Sequence, residues 1–282
     1  APSRENGTVM FPIRDHNPSN RKPVITIGLI LVNVVVFLGY YPELSSTPAG
    51  LARFFDSWAL VPAEVLKGGD PHSLITSMFL HGGWMHLIGN MLFLWIFGDN
   101  LEDQLGHIGF LAFYLVAGLA AGFGQILSNP ASQVPMVGAS GAIAGVMGGY
   151  LLLFPRAKID ILFIFIIFFK VFTVPAWAML GLWFGLQLFN GLSMDATGGG
   201  VAYWAHAGGF IAGFALMLPF WINRGAQAFW ARTAGVPPHE EAQYRFGQSR
   251  IPAVGRPKNA PPAVTRVPRV TRKTRGDNPW SK

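Results

Sequence analysis

Apolar residues in this chain come in unbroken runs, not in the alternation of a half-buried strand or the one-sided stripe of a surface helix. A helix needs roughly 17–25 mostly apolar residues to cross a bilayer. Six runs approach or meet that length: Val24 to Tyr40, Trp84 to Leu101, Ile108 to Leu127, Gly138 to Phe154, Val174 to Leu192 and Ala202 to Ile222. Pro155-Arg156 stops the fourth. The polar stretch from Tyr41 to about Ser73 reads as a structured loop with short helices, and Ser193–Val201 as a Gly-rich link. Ile159 to Phe172 is apolar but short, is interrupted by Lys170 and is followed by Pro175. It reads as an interfacial or re-entrant piece rather than a span. The pattern predicts an all-α membrane protein, a six-transmembrane-helix bundle in three parts. Residues 1–23 form a polar N-terminal segment with no signal-peptide pattern, in which Met10 is a candidate native start and residues 1–9 an addition. Residues 24–222 form the bundle. Residues 223–282, rich in Pro, Arg and Lys and poor in aliphatics, are expected to be a disordered tail.

Composition agrees with that reading. Of 282 residues, 51% are hydrophobic and only 12% charged, about half the charge that a soluble domain carries. The absence of Cys excludes disulfide frameworks, thiolate metal sites and cysteine nucleophiles. The net charge of +7 is concentrated at the ends: 4 of the 21 Lys and Arg lie in residues 1–23 and 12 in residues 223–282. Such a bias at the ends of a membrane bundle reads as the positive-inside rule rather than as a nucleic-acid surface. Six spans put both termini on one side, expected to be the cytoplasm of a bacterial inner (plasma) membrane. The basic tail is expected to meet anionic lipid head groups.

Polar side chains inside a bilayer are costly and therefore candidates for function. His86 and Asn90 in the second run, Ser140 in the fourth and His206 in the sixth each lie within the first few residues of their span. Spans two, four and six run in the same direction, so all four residues share a depth near the outer face. Ser140 sits between Gly138 and Gly141, which leave its hydroxyl uncovered and let another backbone come close. Gly141 with Gly145, and Gly209 with Gly213, form two GxxxG pairs that let helices four and six approach closely. That would bring His206 within reach of Ser140. A serine hydroxyl needs an adjacent base to act as a nucleophile, and a neutral imidazole can take and return its proton. His86 and Asn90, four apart on one helix face, would supply donors for an oxyanion. No carboxylate lies in the upper half of a span, and Asp195 in the link is the nearest candidate to orient His206. The reading is a Ser-His dyad with no cofactor. No HExxH is present, the His residues lack metal-ligand spacing, and no metal is expected.

The motifs His81-Gly-Gly-Trp-Met-His86-Leu-Ile-Gly-Asn90, Gly98 through Glu102 to Gly106, Gly138-Ala-Ser140-Gly141, and His206-Ala-Gly-Gly209-Phe-Ile-Ala-Gly213 occur in that order. Together they resemble the rhomboid family of intramembrane serine proteases over about residues 24–222. The resemblance implies hydrolysis of peptide bonds in or near the transmembrane helices of other membrane proteins. Ser140 would then be nucleophile and His206 base, with His86 and Asn90 lining the oxyanion hole and Glu102 a structural acid. The chain departs from the family pattern in three places. Trp58-Ala59 stands where many members have Trp-Arg. Ala144 stands where well-studied members place a Tyr against the catalytic His. The 159–172 segment is additional. Substrate is expected sideways from lipid, beside span five. The competing reading is a non-proteolytic binder of client transmembrane helices; a transporter is disfavoured by the lack of internal repeats.

Overall fold

The structure, a computed structural model, describes residues 9–19, 21–69, 71–165, 168–193 and 201–242. In chain order the elements are β1 (Val9–Asp15), α1 (Val24–Leu44), α2 (Pro48–Trp58), α3 (Pro62–Leu66), α4 (Ser73–Thr76), a 3-10 turn (Ser77–Phe79), α5 (Trp84–Ser128), α6 (Ser140–Leu153), β2 (Lys158–Phe165), β3 (Phe168–Pro175), α7 (Ala176–Ser193), α8 (Tyr203–Asn223) and α9 (Gln227–Thr233). Three of these, α1, α5 and α8, are long and apolar enough to cross a membrane. The 45-residue α5 is broken at Gly106, whose φ of +71° is a left-handed conformation that glycine adopts without a Cβ clash. Its two arms correspond to the second and third apolar runs.

Helix α6 is apolar on every side, and ten consecutive residues from Gly141 to Tyr150 are buried. An all-round apolar helix belongs at the centre of a bundle. Its 14 residues rise about 21 Å, short of a hydrocarbon core of about 30 Å. The preceding strand of chain is drawn into the bundle to meet it. There Leu60 and Met136 pair as an isolated antiparallel bridge, and the Gly138 N–H donates to the Ser77 carbonyl at 2.9 Å. Between α6 and α8 the backbones touch. A Cβ at Gly209 would overlap the carbonyl oxygen of Gly141, and one at Gly213 that of Gly145.

The helical bundle matches the expected class, but a three-stranded antiparallel sheet, order β1-β2-β3, is added to it. The segment expected to be interfacial or re-entrant, 159–172, is most of the β2–β3 hairpin. Its Ile, Val, Phe and Thr favour a pleated backbone, and strands β1 and β3 satisfy β2 on both edges. The helix of the fifth run accordingly begins at Ala176 rather than Val174. Part of the region placed in the tail is also built into the fold. Phe229 of α9 is buried, and the Trp230 indole donates to the Leu152 carbonyl at 2.9 Å. The following strap returns to β1, where Ala242 N–H donates to the His16 carbonyl at 2.7 Å. Residues 243–282 lie outside the described residues, as does Met194–Gly200 of the Gly-rich link.

Candidate active site

Ser140 is the first residue of α6, at a helix start that no side chain caps. Its hydroxyl is therefore not spent on the helix end. Gly138, two residues earlier, has φ +126°. A Cβ there would lie 2.8 Å from His86 Nε2 and 3.4 Å from Ser140 Oγ. The glycine thus makes room for the His86 ring beside the serine; its expected role had been to admit another backbone.

His206, in the first turn of α8, places Nε2 2.8 Å from Ser140 Oγ. Its Nδ1 lies 2.9 Å from Oε1 of Gln187 on α7, which is buried. The Trp183 ring, one turn earlier on α7, lies against His206 with centroids 5.8 Å apart and a 34° tilt. Ala144 is buried in the core and makes no ring contact. Trp183 on α7 thus supplies the aromatic neighbour that the resemblance assigned to position 144.

His86 and Asn90 lie in the first two turns of α5. The Gly82 N–H donates to His86 Nδ1 at 3.3 Å. In a neutral ring this leaves the hydrogen on Nε2, the nitrogen facing Gly138 and Ser140. Asn90 is buried, with Nδ2 unpartnered. Behind them His81 is fully buried, its ring 5.1 Å from that of His86. Burial first, and the neighbouring His86 second, push His81 down to about 3, so its ring is neutral. Tyr40 Oη donates to the His81 carbonyl at 2.6 Å and pins this stretch to α1. A cavity lined by Ser77, Met136, Gly138, Ser140 and Ala205 lies beside the serine. His72 bonds the Ser57 carbonyl at 3.0 Å, against Trp58.

Of the four polar residues singled out in the spans, His86, Ser140 and His206 are brought together at one end of the bundle, and Asn90 lies one helical turn from His86. Gln187 and Trp183 are the neighbours that sequence reasoning missed. A lone Gln among apolar residues, one turn from a Trp, was the available signal. Asp195 lies outside the described residues. Among the described residues, no three His, Asp or Glu side chains are grouped to hold a metal.

Comparison with known proteins adds the family. The Rhomboid domain profile matches residues 68–223, more than half the chain, a range that holds His86, Asn90, Ser140, Trp183, Gln187 and His206. The chain belongs to the rhomboid family. It is 36% identical over 194 residues to Rhomboid protein 1, mitochondrial, of Saccharomyces cerevisiae, covering 67% of this chain and 51% of that protein. It is 29% identical over 224 residues to the human Presenilin-associated rhomboid-like protein, mitochondrial, covering 76% and 52%. Over a shorter stretch of 89 residues it is 44% identical to RHOMBOID-like protein 6, mitochondrial, of Arabidopsis thaliana, covering 31% and 28%. The chain spans about half the length of the yeast and human relatives. These relatives are mitochondrial proteins of eukaryotes, which overturns the expectation of a bacterial inner (plasma) membrane. A charge bias at the ends of a chain bears at most on which side of a membrane they face and carries no information on which membrane.

Proposed function

We propose that this rhomboid is a six-span intramembrane serine endopeptidase, with Ser140 as nucleophile and His206 as general base. The observation that carries the reading is the 2.8 Å approach of His206 Nε2 to Ser140 Oγ, within hydrogen-bond reach for proton transfer. Ser140 Oγ attacks the scissile carbonyl carbon while its proton passes to His206 Nε2. The oxyanion accepts hydrogen bonds from Asn90 Nδ2 and His86 Nε2–H. The C–N bond then breaks, and the proton on His206 goes to the leaving amine. Water attacks the acyl-enzyme by the same route, giving its proton to His206, and Ser140 is released with its hydroxyl restored.

The substrates are transmembrane helices of other membrane proteins, reaching the site from lipid beside α7, whose outer face presents exposed Leu182, Leu186 and Phe189. A helical carbonyl is already hydrogen-bonded, so a substrate helix must unwind locally before reaction. The host membrane in this reading is mitochondrial, following the names of the relatives.

The test is cleavage of a single-span substrate by purified protein in liposomes, beside Ser140→Ala and His206→Ala, with fluorophosphonate labelling of Ser140. Loss of cleavage by roughly 10⁴-fold or more is expected in both variants, with unchanged thermal unfolding. Equal cleavage by Ser140→Ala sinks the proposal. An intact protein in which Ser140 resists labelling and nothing is cut points to the client-binding reading.

A further inference from the structure

We propose that Gln187 is a positioning residue that fixes the tautomer and the orientation of His206. The inference rests on the reading of Ser140 and His206 as the reacting pair. It starts from the direction of a chain of hydrogen bonds. Ser140 can hand its proton to Nε2 only if Nε2 is unprotonated. In a neutral imidazole the hydrogen is then on Nδ1. Nδ1 lies 2.9 Å from Gln187 Oε1, which is solely an acceptor. The other end of the same amide, Nε2, lies 3.4 Å from the Trp183 carbonyl, which is also solely an acceptor. Donors and acceptors therefore match in one arrangement only: Ser140 O–H to His206 Nε2, His206 Nδ1–H to Gln187 Oε1, and Gln187 N–H to Trp183 C=O. Turning the amide over would set its N–H₂ against Nδ1 and its oxygen against the Trp183 carbonyl. That opposes two acceptors at one end and at the other puts the imidazole hydrogen on Nε2, where it blocks the serine.

Packing supports the same role. Gln187 is buried on α7, and no carboxylate of the described residues pairs with His206. Trp183, one turn away, lies against the ring whose Nδ1 Gln187 holds. Two successive turns of α7 thus restrain the ring by its plane and by one nitrogen. A neutral amide oxygen differs from a carboxylate in one functional respect: it orients the ring without adding a full negative charge to favour imidazolium. Among the described residues the titratable groups that bear on His206 are Ser140 of α6 and His86 of α5; α7 contributes none.

The experiment measures kcat, KM and the pH profile of cleavage in liposomes for wild type, Gln187→Leu and Gln187→Glu, with fluorophosphonate labelling and thermal unfolding for each. Gln187→Leu removes the acceptor; kcat is expected to fall at least about tenfold with KM little changed, because the ring samples the wrong tautomer and orientation. Gln187→Glu restores an acceptor and adds charge. It should recover cleavage, with the acid limb of the profile moved upward by roughly one pH unit or more, since a nearby carboxylate favours imidazolium. His86 is unchanged in both variants, so the difference between profiles reports on His206. Wild-type kcat in a folded Gln187→Leu, or an acid limb unmoved in Gln187→Glu, overturns the proposal. The second arm decides alone if Gln187→Leu does not fold. Failure of the dyad reading looks different: the wild type itself is then unlabelled, or Ser140→Ala cuts.

Discussion

Two clusters of polar side chains lie at opposite ends of this bundle, and they treat hydrogen bonds differently. At the end holding the termini of the bundle, two carboxylates, Glu102 and Asp160, are saturated with donors. The Glu102 carboxylate accepts from the Ile25 and Thr26 N–H groups, both at 2.8 Å, from Thr26 Oγ1 at 2.7 Å and from His107. It thereby caps α1, whose own N-cap residue, Pro23, has no side-chain group to offer. Asp160 takes Thr173 Oγ1 at 2.6 Å, His16 Nε2 at 2.8 Å and Arg14 Nε at 2.7 Å. Burial would raise this carboxyl, and those bonds outweigh it and hold it below the usual carboxylate range. At the Ser140 end, Asn90 Nδ2 is buried without a partner. Buried polar groups are nearly always satisfied, so the exceptions call for an account. The saturated carboxylates hold the fold; on the proposed reading, the unpartnered donor at the other end is kept for a guest.

That contrast predicts how each end breaks. The largest effect belongs to Glu102→Ala, which strips the cap from α1 and strands its N–H donors. A loss of roughly 3 kcal/mol or more is expected, read as a lowered unfolding temperature in detergent. Cleavage per folded molecule should be kept. An unchanged unfolding temperature would place Glu102 outside the structural cluster. Asn90→Ala should behave in the opposite way, with kcat falling about 100-fold, as for loss of one oxyanion donor, and thermal unfolding barely moved. A drop in stability with kcat intact would move Asn90 to the structural class. A third test, read on one strand alone, sharpens the comparison through pH. Asp15 in β1 is buried next to Asn100 and Tyr150; burial first, and the nearby Asp99 second, push it up to about 8. The folded state keeps a proton that the unfolded chain releases near 4. Its contribution to stability is complete below about pH 4 and is lost as pH rises through about 8. Hydrogen exchange of β1 should therefore quicken between pH 5 and 8.5, and Asp15→Asn should flatten that rise. Equal slopes in both proteins would count against the assignment.

Much of the bundle was legible because a lipid-facing helix advertises itself through uninterrupted apolar sequence. Val24 to Tyr40 became α1, and the two arms of α5 follow the second and third runs. His86, Asn90, Ser140 and His206 were legible for a related reason: in an apolar run each polar residue stands out. The sheet was hidden by that same rule. Pairing of Val9–Asp15 with 159–164 is a contact across about 150 positions that leaves no local trace, and β2 is apolar enough to pass for membrane. Gln187 was hidden by its company, since one amide among Trp, Phe and Leu reads as packing until its neighbour is known to be His206.

The backbone contact between α6 and α8 has a consequence for how such a protein can diversify. Where Gly209 and Gly213 meet Gly141 and Gly145, no side chain intervenes. Successive small substitutions therefore have nothing there to trim or enlarge, and the span between Ser140 and His206 is closed to gradual adjustment. Helix α7 is the reverse on its outer face: Gly181 and Gly185 face open space, and Trp177, Leu182, Leu186 and Phe189 are exposed. Lineages can rewrite that wall residue by residue. On the proposed reading, descendants of one ancestor can thus come to accept different helices while the separation of the two polar groups is inherited unchanged.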